Sequence, residues 1–273
     1  MRTCMAIAER EIDAWTTWLR ASGRSGETIG LRTYHIRRVM GDLETDPWAL
    51  STEQLLEYLA AQDWKPETRR SYRASLRSFY AWAQATGRRT DSPAALLPSI
   101  RVPRKVPRPA PTDIYKAALL AADVRVRLML ELAAICGLRR GEIARLRREH
   151  VHTDLVGHSL IFAGKGGHER IVPLPDFLAR DLLERPAGWI FPSVKTAGPL
   201  TPAHVGKLVS RVLPEGWTCH TLRHRCATVA YWGSKDIRAV QELLGHAKLD
   251  TTMLYTLVNP EQVRELIRLT SAA

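Results

Sequence analysis

The chain has 273 residues, 45% hydrophobic and 25% charged, enough for one large core or two modest ones. Its 40 Lys and Arg against 28 Asp and Glu give a formal net charge of +12, which points to a polyanionic partner whose counterions the basic side chains displace. No apolar run is long enough to span a bilayer and no lipidation motif is present. Glu9, Arg10, Glu11 and Asp13 make the first residues too charged for a secretory signal.

These features predict a cytoplasmic protein with no membrane partner and with its four cysteines reduced. Cys219, His224 and Cys226 lie close together but match no standard zinc spacing and have no fourth ligand nearby, so neither a metal nor a cofactor is expected.

In chain order, residues 5 to about 88 read as a helical unit. Ile12, Trp15 and Leu19 recur at helical spacing, and a second helix is expected over about 27–41. Ser51 and Gln54 form a capping-box pair ahead of Leu55, Leu56 and Leu59. Pro66 opens the longest helix, which ends near Gly87. On it Tyr72, Leu76, Phe79 and Ala83 make a core face, while Arg70, Arg73 and Arg77 make a basic face with no acidic residue interleaved. Such a face suits a phosphate backbone, although a solvated charged face reads the same way.

Residues 98–111 alternate Pro98, Pro103, Pro107, Pro109 and Pro111 with Arg101, Arg104, Lys105 and Arg108. Proline stiffens an extended chain, so at roughly 3 Å per residue this linker spans up to about 40 Å. Arg32, Arg70, Arg73, Arg77, Arg104 and Lys105 are the expected contacts to DNA. Beyond 112 the pattern predicts an apolar helix over Val126–Leu138 and a second over Arg140–Arg148. Two strands, Ser159–Ala163 and Arg170–Leu174, are joined by Lys165-Gly166-Gly167-His168. Helical segments follow near 201–213, 220–233, 236–244, 251–257 and 260–269.

Five short stretches carry chemistry. Arg139 follows Gly137 at a helix end, with Glu142 three residues on to hold its side chain or backbone. Lys165 sits in a glycine-flanked turn that lacks the Walker A spacing. His220 and Arg223 share a helix face, His246 follows the helix-ending Gly245, and Tyr255 lies on a helix that Asp250 caps. Each alone is commonplace. Together they supply metal-free phosphoryl transfer: two guanidinium groups for the equatorial oxygens, a tyrosine nucleophile, a histidine to take its proton and a lysine to protonate the leaving oxygen.

In order and spacing, GLRRGE, GKGGHERIVPL, HTLRH, LLGH and the Tyr255 segment resemble the tyrosine recombinase, or phage integrase, family. The resemblance implies a mainly α fold: a helical core-type DNA-binding domain over 1–97, the linker over 98–111, and a mixed α/β catalytic domain with a small antiparallel β sheet over 112–273. It implies Arg139 and Arg223 as phosphate clamps, Lys165 as general acid and His220 as the histidine that helps deprotonate the nucleophile. It further implies His246 as transition-state support, Tyr255 as nucleophile and Glu142 as the supporting carboxylate.

It also implies a metal-independent site-specific recombinase acting on double-stranded core-type sites as a homotetramer, a monomer or weak oligomer when alone. The covalent intermediate is a 3′-phosphotyrosine and strands exchange through a Holliday junction. The helix over 260–269 would dock on a neighbouring protomer or on its own domain. The first helix is expected to begin within about ten residues of Met1, which leaves no room for an arm-binding domain and suggests a compact integrase or a Xer-like enzyme; integration of phage or mobile-element DNA is the first expectation. An enzyme resembling the Xer recombinases, which resolve chromosome or plasmid dimers, is the alternative, and a DNA-binding regulator without catalysis a lesser one. Any directionality factor stays open.

Overall fold

The computed structural model describes residues 2–103, 107–163 and 169–245. The chain forms two compact units, Met1–Arg104 and Lys105–Ala273.

Among the described residues the first unit contains four helices: α1 (Arg2–Ala21), α2 (Gly26–Leu43), α3 (Thr52–Ala61) and α4 (Pro66–Ala85). Ile12, Trp15 and Leu19 of α1 are buried, as are Tyr72, Leu76, Phe79 and Ala83 of α4. Trp15 meets Phe79 edge-on at 5.3 Å between ring centroids, and Trp48 stacks on the same ring at 5.6 Å. The capping box at α3 forms: the Gln54 amide donates to Ser51 Oγ at 3.3 Å and the Ser51 amide donates to Gln54 Oε1 at 2.9 Å.

The basic face of α4 is divided. Arg73 donates twice to the Leu97 carbonyl, at 3.0 and 2.7 Å, and Arg77 donates to the Ala95 carbonyl. These two side chains hold down the irregular segment after α4, whose carbonyls need donors. Arg32 donates to Ser78 Oγ at 2.7 Å, and Arg70 stays exposed. Arg104 and Lys105 lie outside the described residues.

The second unit contains α5 (Thr112–Ala121), α6 (Val124–Ala134), α7 (Arg140–Ala144), β1 (Val151–Thr153), β2 (His158–Ala163), β3 (Glu169–Leu174), α8 (Asp176–Leu183), α9 (Pro202–Val212), α10 (Cys219–Ser234) and α11 (Ile237–Leu244). Helix α6 is the core element: Leu128, Met129, Leu130, Leu132 and Ala133 are all at most 1% exposed. The expected helix over Val126–Leu138 stops at Ala134. The chain turns at Gly137, in the left-handed region at φ 61°, and the Leu138 amide donates back to the Leu132 carbonyl at 3.1 Å.

The expected helix over Arg140–Arg148 is likewise short. After Ala144 the backbone leaves the helix to pair elsewhere: Ile190 N donates to Leu146 O and Arg148 N to Gly188 O, both at 2.9 Å. A single 3₁₀ turn, Arg148–His150, then leads into the sheet.

The sheet is antiparallel in the order β1-β2-β3, with Leu160 opposite Val172 and both buried. Strand β1 was not expected; three residues carry too little alternation to read. Helix α8 was not expected either, although Leu178, Ala179 and Leu182 bury one face of it. The last residues of the predicted linker are docked on this unit. The Ala110 amide donates to the Thr221 carbonyl at 3.0 Å, and the Arg108 guanidinium lies 4.2 Å from the Trp217 ring centroid. The turn 164–168 and the segments expected over 251–257 and 260–269 lie outside the described residues.

Candidate active site

Arg139 is the N-cap residue of α7 and Glu142 its third helical position. The Glu142 carboxylate accepts the Arg139 backbone amide at 2.7 Å and the Arg139 guanidinium at 2.8 Å. It also accepts Arg170 Nη1 at 2.7 Å on both oxygens, and Arg223 Nη1 lies 4.0 Å away. Burial on its own would raise the Glu142 pKa. Arg170 and Arg139 outweigh it and hold the carboxyl below the usual range, so it is a carboxylate at neutral pH.

The same three arginines gather at the C-terminal end of α11. Arg170 donates to the Leu243 carbonyl at 3.1 and 2.6 Å, Arg223 to the Leu244 carbonyl at 2.6 Å, and Arg139 to the Gly245 carbonyl at 3.1 Å. Arg223, 2% exposed, also donates to the Gly137 carbonyl. A helix end leaves its last carbonyls without intrahelical partners and carries partial negative charge, so it draws cations. Gly245 closes α11 at φ 60°, and Gly137 has no room for a side chain: a Cβ there would sit 2.8 Å from Leu244 Cδ2.

His220 lies one turn before His224 on α10, with their rings 4.2 Å apart. Desolvation, and then the positive charges of Arg223, Arg139 and Arg140, lower the His220 pKa from its ordinary value. His224 is lowered to about 4, by burial first and by His220 next. A neutral imidazole at neutral pH accepts a proton. Arg139, Arg140, Lys207, Thr218, His220 and Arg223 line one cleft of about 640 Å³, and no carboxylate stands among its described lining residues. Such a wall stabilises an anion and the charge that develops on it during displacement.

Of the residues singled out in the sequence, Arg139, Glu142, His220 and Arg223 are thus gathered in one place. Lys165, His246 and Tyr255 lie outside the described residues. Sequence reasoning missed Arg140, Lys207 and Arg170. For Arg170 a signal existed: it shares the inward face of β3 with Val172 and Leu174, and an arginine at an inward position of an alternating strand requires a buried partner.

Residues 112–262 match the phage integrase family, and the chain belongs to it. It is a site-specific tyrosine recombinase. It is 32% identical to the tyrosine recombinase XerD of Caulobacter vibrioides, over 82% of this chain and 81% of that protein. To XerA of Thermococcus kodakarensis it is 30% identical, over 96% and 95% of the two chains. The fold is also that of XerH bound to a palindromic difH substrate, with a TM-score of 0.70 at 20% identity over 89% of this chain and 80% of that one. A lambda integrase dimer bound to a COC′ core site aligns with a TM-score of 0.69 at 20% identity, over 90% and 76% of the chains. No described helix is long and apolar enough to cross a membrane.

Proposed function

We propose that this recombinase cuts and rejoins duplex DNA at short core sites through Tyr255. The phenol oxygen attacks the scissile phosphorus, the bond to the 5′ oxygen breaks, and a 3′-phosphotyrosine forms. His220 accepts the phenol proton and Lys165 supplies the proton to the departing 5′ oxygen. Arg139 and Arg223 neutralise the non-bridging oxygens, Glu142 fixes Arg139, and His246 supports the transition state. The phosphoester energy stays in the covalent link, so a 5′-hydroxyl reverses the step and rejoins a strand. Four protomers on two duplexes would complete exchange through a Holliday junction, in the cytoplasm at the nucleoid.

The observation that carries the reading is the convergence of Arg139, His220 and Arg223 on one cleft free of described carboxylates. Integration of phage or mobile-element DNA is the role first expected. Likeness to XerD and XerA across most of their lengths favours resolution of chromosome or plasmid dimers as a second reading.

The test is covalent capture from a pool of nicked duplexes with randomised cores, in which the short cleaved strand diffuses away. Wild type should give an adduct stable on a denaturing gel, and Tyr255→Phe none. Binding with no adduct from wild type would make the chain a regulator.

A further inference from the structure

Arg170 is the one member of the arginine group to which the chemistry above gives no task. Its side chain is 9% exposed and faces inward from β3. Its guanidinium joins two places distant in sequence. Nη1 binds both carboxylate oxygens of Glu142 at 2.7 Å, while Nε and Nη2 bind the Leu243 carbonyl at 3.1 and 2.6 Å. Glu142 in turn holds Arg139 by its backbone and side chain. Arg170 therefore ties the cleft-lining Arg139 to the end of α11, after which the sequence runs on to His246. Only a planar fork spans both places; an ammonium group meets one or the other.

A buried cation is a poor device for stability alone, because an apolar residue of similar volume commonly does as well. Val172 and Leu174 fill the neighbouring inward positions of this strand in that way.

We propose that Arg170 is a positioning residue for DNA cleavage: it sets Glu142, and through it Arg139, against the C-terminal end of α11 without touching DNA. The inference rests on the recombinase reading. A misplacement of about 1 Å at a reacting group can cost about 100-fold in rate while binding is kept.

The test uses the full chain and a nicked duplex recovered by the covalent capture described above. Single-turnover adduct formation and DNA affinity are measured at a temperature where circular dichroism shows each variant folded. Arg170→Gln should cleave about 100-fold slower, and Arg170→Lys about 10-fold slower, each with a Kd within about threefold of wild type. Arg170→Gln added to Glu142→Gln should slow cleavage little further, because the two act as one unit.

Arg170→Lys keeps a cation for Glu142 and serves if the glutamine variant does not fold. Wild-type rates in either folded variant, or loss of DNA affinity matching the loss of rate, overturn the proposal while leaving the recombinase reading intact. Absence of any adduct from wild type brings down both.

Discussion

A Cβ on Gly245 would lie 2.5 Å from Cδ of Arg170, closer than two non-bonded carbon atoms approach. The backbone there is also left-handed, at φ 60°. Glycine is needed twice over: for the turn that ends α11, and for the space through which Arg170 reaches the Leu243 carbonyl. Gly245→Ala should destabilise the second unit by about 1–3 kcal/mol and slow adduct formation. Thermal unfolding and single-turnover cleavage check this together; a variant with wild-type melting and rate contradicts the packing described.

Glu142→Gln keeps the shape of the side chain and removes its charge. The buried Arg170 then lacks its counter-ion, a loss on the order of 3 kcal/mol for a buried pair. Urea unfolding should show that loss, and cleavage should slow by about 10- to 100-fold with DNA affinity little changed. An unaltered cleavage rate in the folded variant would show that Arg139 does not need this carboxylate.

His220 gives a pH prediction. Its pKa is depressed by desolvation and by Arg223, Arg139 and Arg140, so the neutral base persists to a lower pH than for a free imidazole. Adduct formation should hold steady as pH falls through the ordinary histidine range and decline only below it. In His220→Gln the remaining slow reaction should lose that acid limb. A limb at the ordinary histidine pKa, or one unaltered in the variant, argues against His220 as the proton acceptor.

His35 gives another, through stability. It is buried between α2 and α4, hydrogen-bonded to Ser75 at 2.9 Å, with its ring centroid 3.8 Å from that of Tyr72. Burial lowers its pKa to about 4. Between that value and the ordinary one near 6.5 the unfolded chain binds a proton that the folded chain does not, so stability rises with pH across this window. Urea midpoints should drop between pH 7 and pH 4.5, and His35→Gln should flatten the slope. His224 adds to the same trend.

The sequence carried the helical layout well where a face is amphipathic and its ends are capped. Ser51 with Gln54, and Pro66 at the start of α4, are local signals, and both elements begin where those signals lie. It failed where long-range pairing decides. α7 ends early because Leu146 and Arg148 bond to a segment some 40 residues on, which no local pattern records. In the site, Arg139 and Glu142 were legible as a pair because they are three residues apart. Arg170 lies 28 residues from Glu142, and only its inward position in an alternating strand hinted at a buried partner. On α4, like charge at helical spacing is readable in the sequence, but the bonds of Arg73 and Arg77 to the Leu97 and Ala95 carbonyls, 24 and 18 residues away, are not.

Peptide mapping of the captured adduct identifies the residue that forms the covalent bond to DNA. After nuclease trimming and proteolysis, mass spectrometry should find the residual nucleotide on the peptide containing Tyr255, joined through its 3′ phosphate. A nucleotide joined to any other residue, or an adduct that persists in Tyr255→Phe, would rule out Tyr255 as the nucleophile.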